Sequence, residues 1–137
     1  MIVQTVKYVD LNGEEVSDKL YFNLNSLEAT RMEAKYTNKV FKTMQDYLQH
    51  IVDEGDNKAI VEAMEDVILS AYGERSADGK HFMKTKEIRT NFENSLAYAQ
   101  LFDDLIRDEQ TLTTFINGIV QKRDDKAAKA TQAARVE

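Results

Sequence analysis

Ile68-Leu69-Ser70-Ala71-Tyr72-Gly73-Glu74-Arg75-Ser76-Ala77-Asp78-Gly79-Lys80-His81-Phe82 is where an apolar helical stripe stops and a glycine-punctuated segment takes over. Gly73 falls where the glycine after a helix belongs, because only glycine takes the left-handed conformation there without a Cβ clash. Asp78-Gly79 is a turn dipeptide, since both residue types tolerate positive φ. These features predict a helix ending near Gly73, a loop through Phe82, and a new helical pattern on the far side.

Upstream, Ile60, Ala63, Met64, Val67, Ile68 and Ala71 recur at i+3 or i+4, with Val61, Leu69 and Tyr72 widening the stripe. A helix this apolar belongs at the centre of a core. Asp56 is its expected N-cap and Gly55 ends the helix before it. That preceding helix spans Met44 to Glu54, is capped by Thr43 with Asp46 three residues on, and carries Met44, Tyr47, Leu48, Ile51 and Val52 on one side. A first helix has Asn25 and Glu28 as a capping box and Ala29, Met32 and Tyr36 on one face. The spacing also threads through Val40 as one long helix over 27–54, but the Thr43 cap favours two helices with a connector over 37–42. Earlier still, residues 2–9 alternate, with Ile2, Gln4, Val6 and Tyr8 on one side and Val3, Thr5, Lys7 and Val9 on the other. An Asn12-Gly13 turn leads to a second extended run from Val16 to Leu24. Together these predict an antiparallel hairpin. A lone hairpin is marginal in water, so it must pack on helices or pair with another strand.

Downstream, Thr85 is the expected cap of a helix of about five turns carrying Ile88, Phe92, Leu96, Ala99, Phe102, Leu105 and Ile106. Asp108 caps a short last helix with Leu112, Phe115 and Ile116, and Gly118 is its expected stop. Beyond Val120 the chain is rich in Ala and Lys, with Val136 its one large aliphatic residue, and this composition predicts a flexible tail over 121–137. The fold class is therefore α+β and mainly α: an N-terminal β-hairpin (about 2–24) and about five helices in one domain, 1–120, followed by that tail.

A chain of 137 residues is long enough to bury roughly two-thirds of its unfolded surface. No run of about 18 apolar residues marks a transmembrane helix, and the opening Met-Ile-Val-Gln-Thr lacks the regions of a signal peptide. Cysteine is absent, which suits a reducing cytoplasm. Net charge is −6; the segment from Lys122 to Glu137 holds five Lys/Arg against three Asp/Glu, so the body before it carries −8. Such a body repels phosphate, and counterion release cannot drive nucleic-acid binding; a partner with a basic or amphipathic surface is easier to accept.

Chemistry-bearing patterns are weak. His50 has Asp46, Asp53 and Glu54 at helical spacing, which is half a metal site at most and the ordinary composition of a solvated face. His81 has no motif partner, the serines lie outside any nucleophile-elbow sequence, and Gly73 and Gly79 do not make a phosphate loop. Neighbouring carboxylates such as Asp103-Asp104 diverge on a helix. The sequence calls for no enzyme, cofactor or metal.

Tyr72-Gly73-Glu74-Arg75-Ser76, then Asp78-Gly79-Lys80 and Phe82, resembles a signature of tail assembly chaperones of long-tailed (siphovirus-type) bacteriophages, mainly those of Gram-positive hosts. The resemblance continues in Ala97-Tyr98-Ala99-Gln100-Leu101-Phe102, in Phe115-Ile116-Asn117-Gly118-Ile119-Val120 and in the junction Leu24-Asn25-Ser26-Leu27-Glu28, covering most of residues 16–120. No one of these pieces is specific alone; their order and spacing carry the likeness. Residues 37–43 depart from the glycine-rich break that the family leads one to expect.

The resemblance implies a non-enzymatic factor in the host bacterial cytoplasm that coats the tape-measure protein, keeps it soluble, helps recruit tail-tube subunits and is left out of the mature virion. It also implies a longer product made by programmed frameshifting, joined where the Lys/Ala tail lies. Self-association is compatible with it, and neither nucleic acid nor membrane is an expected partner. Arg75, which can pair with carboxylates, and Phe82, which offers apolar area, are the candidate contact residues. The same loop is equally well explained as a helix stop and turn without a partner, and for Tyr98, Leu101 and Phe102 core packing is the stronger reading. The competing class is a small phage or host regulator acting through one protein partner; a chaperone gene would lie between tail-tube and tape-measure genes, whereas a regulator's need not.

Overall fold

The structure, a computed structural model, describes residues 1–120. The flexible tail expected over 121–137 lies outside the described residues.

The chain opens with strands β1 (Ile2–Val9) and β2 (Glu15–Phe22), antiparallel and paired from Ile2 opposite Phe22 to Val9 opposite Glu15. Their connection closes on Asp10, whose carboxylate accepts from the N–H groups of Asn12 and Glu14, while Gly13 takes φ +81°. Three helices follow: α1 (Ser26–Tyr36), α2 (Met44–Asp53) and α3 (Asn57–Ala71). Each begins as its sequence dictates. Asn25 and Glu28 exchange both hydrogen bonds of a capping box, and the Thr43 and Asp56 side chains accept from the N–H groups of Asp46 and Ala59. The 37–42 connector is real, held by Asn38, whose side chain accepts from the N–H groups of Val40 and Phe41.

At the end of α3 the structure corrects the expectation for Gly73. The helix stops at Ala71, Tyr72 is already extended, and Gly73 does not adopt positive φ. It lies instead in strand β3 (Tyr72–Arg75), which pairs with β2 through Tyr21 opposite Gly73 and Phe22 opposite Tyr72. A six-residue turn leads into β4 (Phe82–Met83). The segment expected to be a loop is thus a second hairpin, and the two hairpins form one four-stranded antiparallel sheet in the order β1-β2-β3-β4. The N-terminal hairpin meets both conditions set for it, packing on helices and pairing with another strand. Glycine is needed at 73 for space: a Cβ there would stand 2.6 Å from the Phe82 ring and 2.8 Å from the Met83 carbonyl oxygen.

The remaining chain forms α4 (Lys86–Glu93), α5 (Leu96–Ile106) and α6 (Glu109–Val120). The single five-turn helix expected from Ile88 to Ile106 is two helices, broken at Asn94-Ser95. Asn94 folds its amide back onto the Thr90 carbonyl, and the Ser95 hydroxyl accepts from the Tyr98 N–H to cap α5. The break rotates the buried face onto Ala97, Leu101 and Leu105 and leaves Leu96, Ala99 and Ile106 exposed. Gly118 does not stop α6, which continues to Val120 and buries Ile119 and Val120. A Cβ at 118 would lie 3.4 Å from Cδ1 of Ile2 in β1, an ordinary van der Waals contact, so space does not require glycine there.

Among the described residues, helices cover only one side of the sheet. Val6, Leu20 and Phe22 point into the core, and Phe22 meets the rings of Tyr72, Phe92 and Phe115 edge-on at 5.8, 6.1 and 5.4 Å. Such contacts each add about 0.5–1.5 kcal/mol to simple burial, so this one side chain ties the sheet to α4 and α6. Tyr72 stacks on Phe92 at 3.7 Å. In α3, Met64, Val67, Ile68 and Ala71 have no exposed surface, as expected for the central helix. Tyr98 and Phe102 pack on the core beside buried Leu101. Lys84 fastens β4 to the helices, donating to Glu28 of α1 at 2.9 Å and to the Ser70 carbonyl at 3.1 Å.

Candidate partner-binding face

Strand alternation decides what the sheet presents outward. With Val6, Leu20 and Phe22 turned inward, Val3, Thr5, Lys7 and Val9 of β1 and Glu15, Ser17, Lys19 and Tyr21 of β2 share the opposite side. Val3 and Val9 are 51% and 59% exposed. The β3–β4 hairpin continues this outer face with Arg75 and Phe82, which stand directly opposite each other across the two strands.

The two sequence-predicted site residues are therefore neighbours. Arg75 is exposed; its guanidinium carbon is 5.8 Å from the centre of the Tyr21 ring, and its Nη2 approaches Gly79 in the turn. Phe82 is half-buried, because its ring lies over the space left by Gly73, and Lys84 Nζ is 5.9 Å from it. Phe82 is thus a strand residue resting on a glycine, which holds its ring in one place.

The turn that joins β3 to β4 is internally bonded. Ser76 and His81 pair through Ser76 N–H to the His81 carbonyl at 2.9 Å and His81 N–H to Ser76 Oγ at 3.1 Å. The Asp78 carboxylate accepts from the Ser76 hydroxyl and from the Lys80 N–H, and Gly79 takes φ +74°. The Ser76 hydrogen bond, followed by the Lys80 N–H, holds the Asp78 carboxyl below its ordinary pKa. This bonding presets the orientation of the strands that carry Arg75 and Phe82.

Elsewhere polar groups serve the fold. Asp66 accepts from Lys35 Nζ at 2.5 Å and from the Tyr36 hydroxyl at 2.6 Å, and burial first, then that hydrogen bond, raises the Tyr36 pKa. Burial, with Glu65 and Glu93 nearby, pushes the Tyr98 hydroxyl up to about 12. His50 lies with its ring centre 4.9 Å from that of Phe41, and no group of three or more His, Asp or Glu among the described residues is placed to hold a metal. None of the described helices is long and apolar enough to cross a membrane.

The sequence offers Arg75 and Phe82 as candidates; the structure sets Lys19 and Tyr21 of β2 beside them and Lys7 of β1 on the same face, none of which the sequence singles out. The alternation in residues 2–9 is visible in the sequence; which side faces away from the helices is not, because Tyr72–Arg75 reads locally as loop and not as a strand. The Asp78-Gly79 turn between Glu74-Arg75 and Phe82-Met83 was the available hairpin signal.

No curated protein and no solved structure matches the chain. A family model described as phage tail assembly chaperone matches residues 1–137. This match spans every element described above, and the chain belongs to the phage tail assembly chaperone family.

Proposed function

We propose that the protein acts without catalysis, binding helical segments of the tape-measure protein in the host cytoplasm, keeping them soluble and helping to recruit tail-tube subunits before the virion is complete. The observation that carries this reading is the family match over the whole chain. It favours tail assembly over the small-regulator alternative. A longer frameshifted product belongs to the same reading.

Apolar stripes on a long helical protein aggregate unless covered, and helix recognition by an apolar surface is a common binding mode. Each contact can be weak, because many copies on one chain act through effective concentration. The pairing of Arg75 and Phe82 supports placing the contact on the outer face: one supplies charge for partner carboxylates and the other a fixed apolar ring.

The test is capture of tape-measure fragments by tagged protein. Arg75→Glu is expected to reduce capture at least about fivefold, while the circular dichroism spectrum is unchanged and the melting temperature falls little, since an exposed cation–π contact contributes only about 0.5–1 kcal/mol. Capture by the parent protein with a silent Arg75→Glu moves the site elsewhere; no capture by either removes the function.

A further inference from the structure

The outer face has an internal order that the pairing register makes explicit. Val3 stands opposite Tyr21, and Tyr21 stands opposite Gly73, over which the Phe82 ring lies. These residues form an apolar row running across the strands. Two residues along, Thr5 stands opposite Lys19, and Arg75 occupies the corresponding step of β3. Lys7 lies one step further, opposite Ser17. An apolar row is thus bordered on one side by cations. Glu15, at the hairpin end, is the single carboxylate among the strand residues of this face, although the body carries −8. None of the three ion pairs among the described residues engages Lys7, Lys19 or Arg75.

We propose that this face docks an acidic amphipathic helix of the tape-measure partner, laid across the strands with its apolar stripe on Val3, Tyr21 and Phe82 and its acidic flank over Lys19, Arg75 and Lys7. The inference rests on the chaperone reading and names the chemistry of the segment bound. Dimensions agree: four strands about 4.8 Å apart span roughly 14 Å, about two and a half helical turns. Rows about 7 Å apart put the row of Lys19 and Arg75 under a helix about 10–12 Å wide that rests on the apolar row. Lys7, one row further, meets its edge through a long side chain. Charge complementarity decides the sign. In an acidic protein a bordered row of cations repels a basic segment locally and admits an acidic one, while the carboxylates elsewhere discourage the same helix from binding at other surfaces.

The experiment uses fluorescein-labelled peptides of about 30 residues tiling the cognate tape-measure protein, titrated with the full chain and with Lys7→Glu/Lys19→Glu. Both lysines are exposed, and Lys7→Gln/Lys19→Gln serves if charge reversal disturbs the circular dichroism spectrum. Acidic amphipathic peptides are expected to bind best, the double reversal to weaken them by about tenfold or more, and raising NaCl from about 50 to about 500 mM to weaken the parent interaction as well. Unchanged affinity in the double variant, or preference for basic peptides, overturns the proposal and leaves the chaperone reading standing. Binding of single-stranded RNA in preference to every peptide, lost in the variant, assigns the face to nucleic acid and overturns it. Self-association abolished by the variant with peptide binding intact assigns the face to a second copy and does the same. If no peptide binds the parent protein, both readings fall.

Discussion

Phe82 occupies the volume that a side chain at Gly73 would need, and the Met83 carbonyl closes the other side. Gly73→Ala is therefore expected to destabilise the protein by about 1–3 kcal/mol, the usual cost of forcing extra volume into a close contact, and to alter the near-ultraviolet dichroism as the Phe82 ring is displaced. Gly79→Ala, at φ +74°, should cost about 1–2 kcal/mol, mainly through backbone strain because the Arg75 Nη2 that a Cβ would meet at 3.1 Å is the end of a flexible side chain, and should leave those aromatic bands in place. Two glycines in one short stretch thus act by different physics, and only one was legible in the sequence. Gly79 announced itself through the Asp-Gly dipeptide. Gly73 reads by local rules as a helix cap, because its requirement comes from Phe82, nine positions away, which those rules do not see. Asp78 offers a third test at this scale. Its folded pKa is lowered, so its contribution is present above the unfolded carboxylate value of about 3.9 and is lost as pH falls through the lower folded value. Carboxyl NMR should find it titrating below the ordinary aspartate value, and Ser76→Ala should move it back toward that value. A titration unchanged by Ser76→Ala would remove the hydroxyl as the main cause.

At the level of elements, α3 behaves as its period demands, and Met64 is fully enclosed. Met64→Asp leaves an unpaired carboxylate in that site and is expected to cost several kcal/mol, enough to unfold a domain of ordinary stability. Asp53→Asn, on the exposed end of α2, should stay within about 0.5 kcal/mol. Thermal melts decide both; equal melting temperatures for Met64→Asp and the parent would displace α3 from the centre of the core. The helices up to α3 were legible because each has a capping residue immediately before a clear apolar period. The split of α4 from α5 was not: Ser95 is a good cap, but Phe92, Leu96 and Ala99 continue the helical spacing across it and hide the change of face. Ser95→Ala is expected to cost about 1 kcal/mol by removing the acceptor of the Tyr98 N–H. Gly118 differs from its expected role as a stop: glycine inside a helix costs about 1 kcal/mol, and α6 continues through it to bury Ile119 and Val120. Strands β3 and β4, at four and two residues, are too short for any period to appear.

At the largest scale, the helices of residues 1–120 cover one side of a four-stranded sheet and, among the described residues, leave the other open, so an acidic body displays a face on which cations border an apolar row. That face could not be read from the sequence, because its strands come from segments separated by the three helices α1–α3 and its identity depends on which side those helices cover. The candidate residues Arg75 and Phe82 were found from a family resemblance, and the pairing of β3 with β4 sets them side by side. The central claim is that this surface exists to keep a long helical partner soluble. The most direct measurement is co-expression of the full chain with tape-measure fragments, followed by fractionation and light scattering of the soluble complex. The account predicts a marked rise in soluble fragment and a complex holding several chaperone copies per fragment, with the number growing with fragment length. Fragments that stay insoluble beside an equimolar excess of folded protein would contradict it.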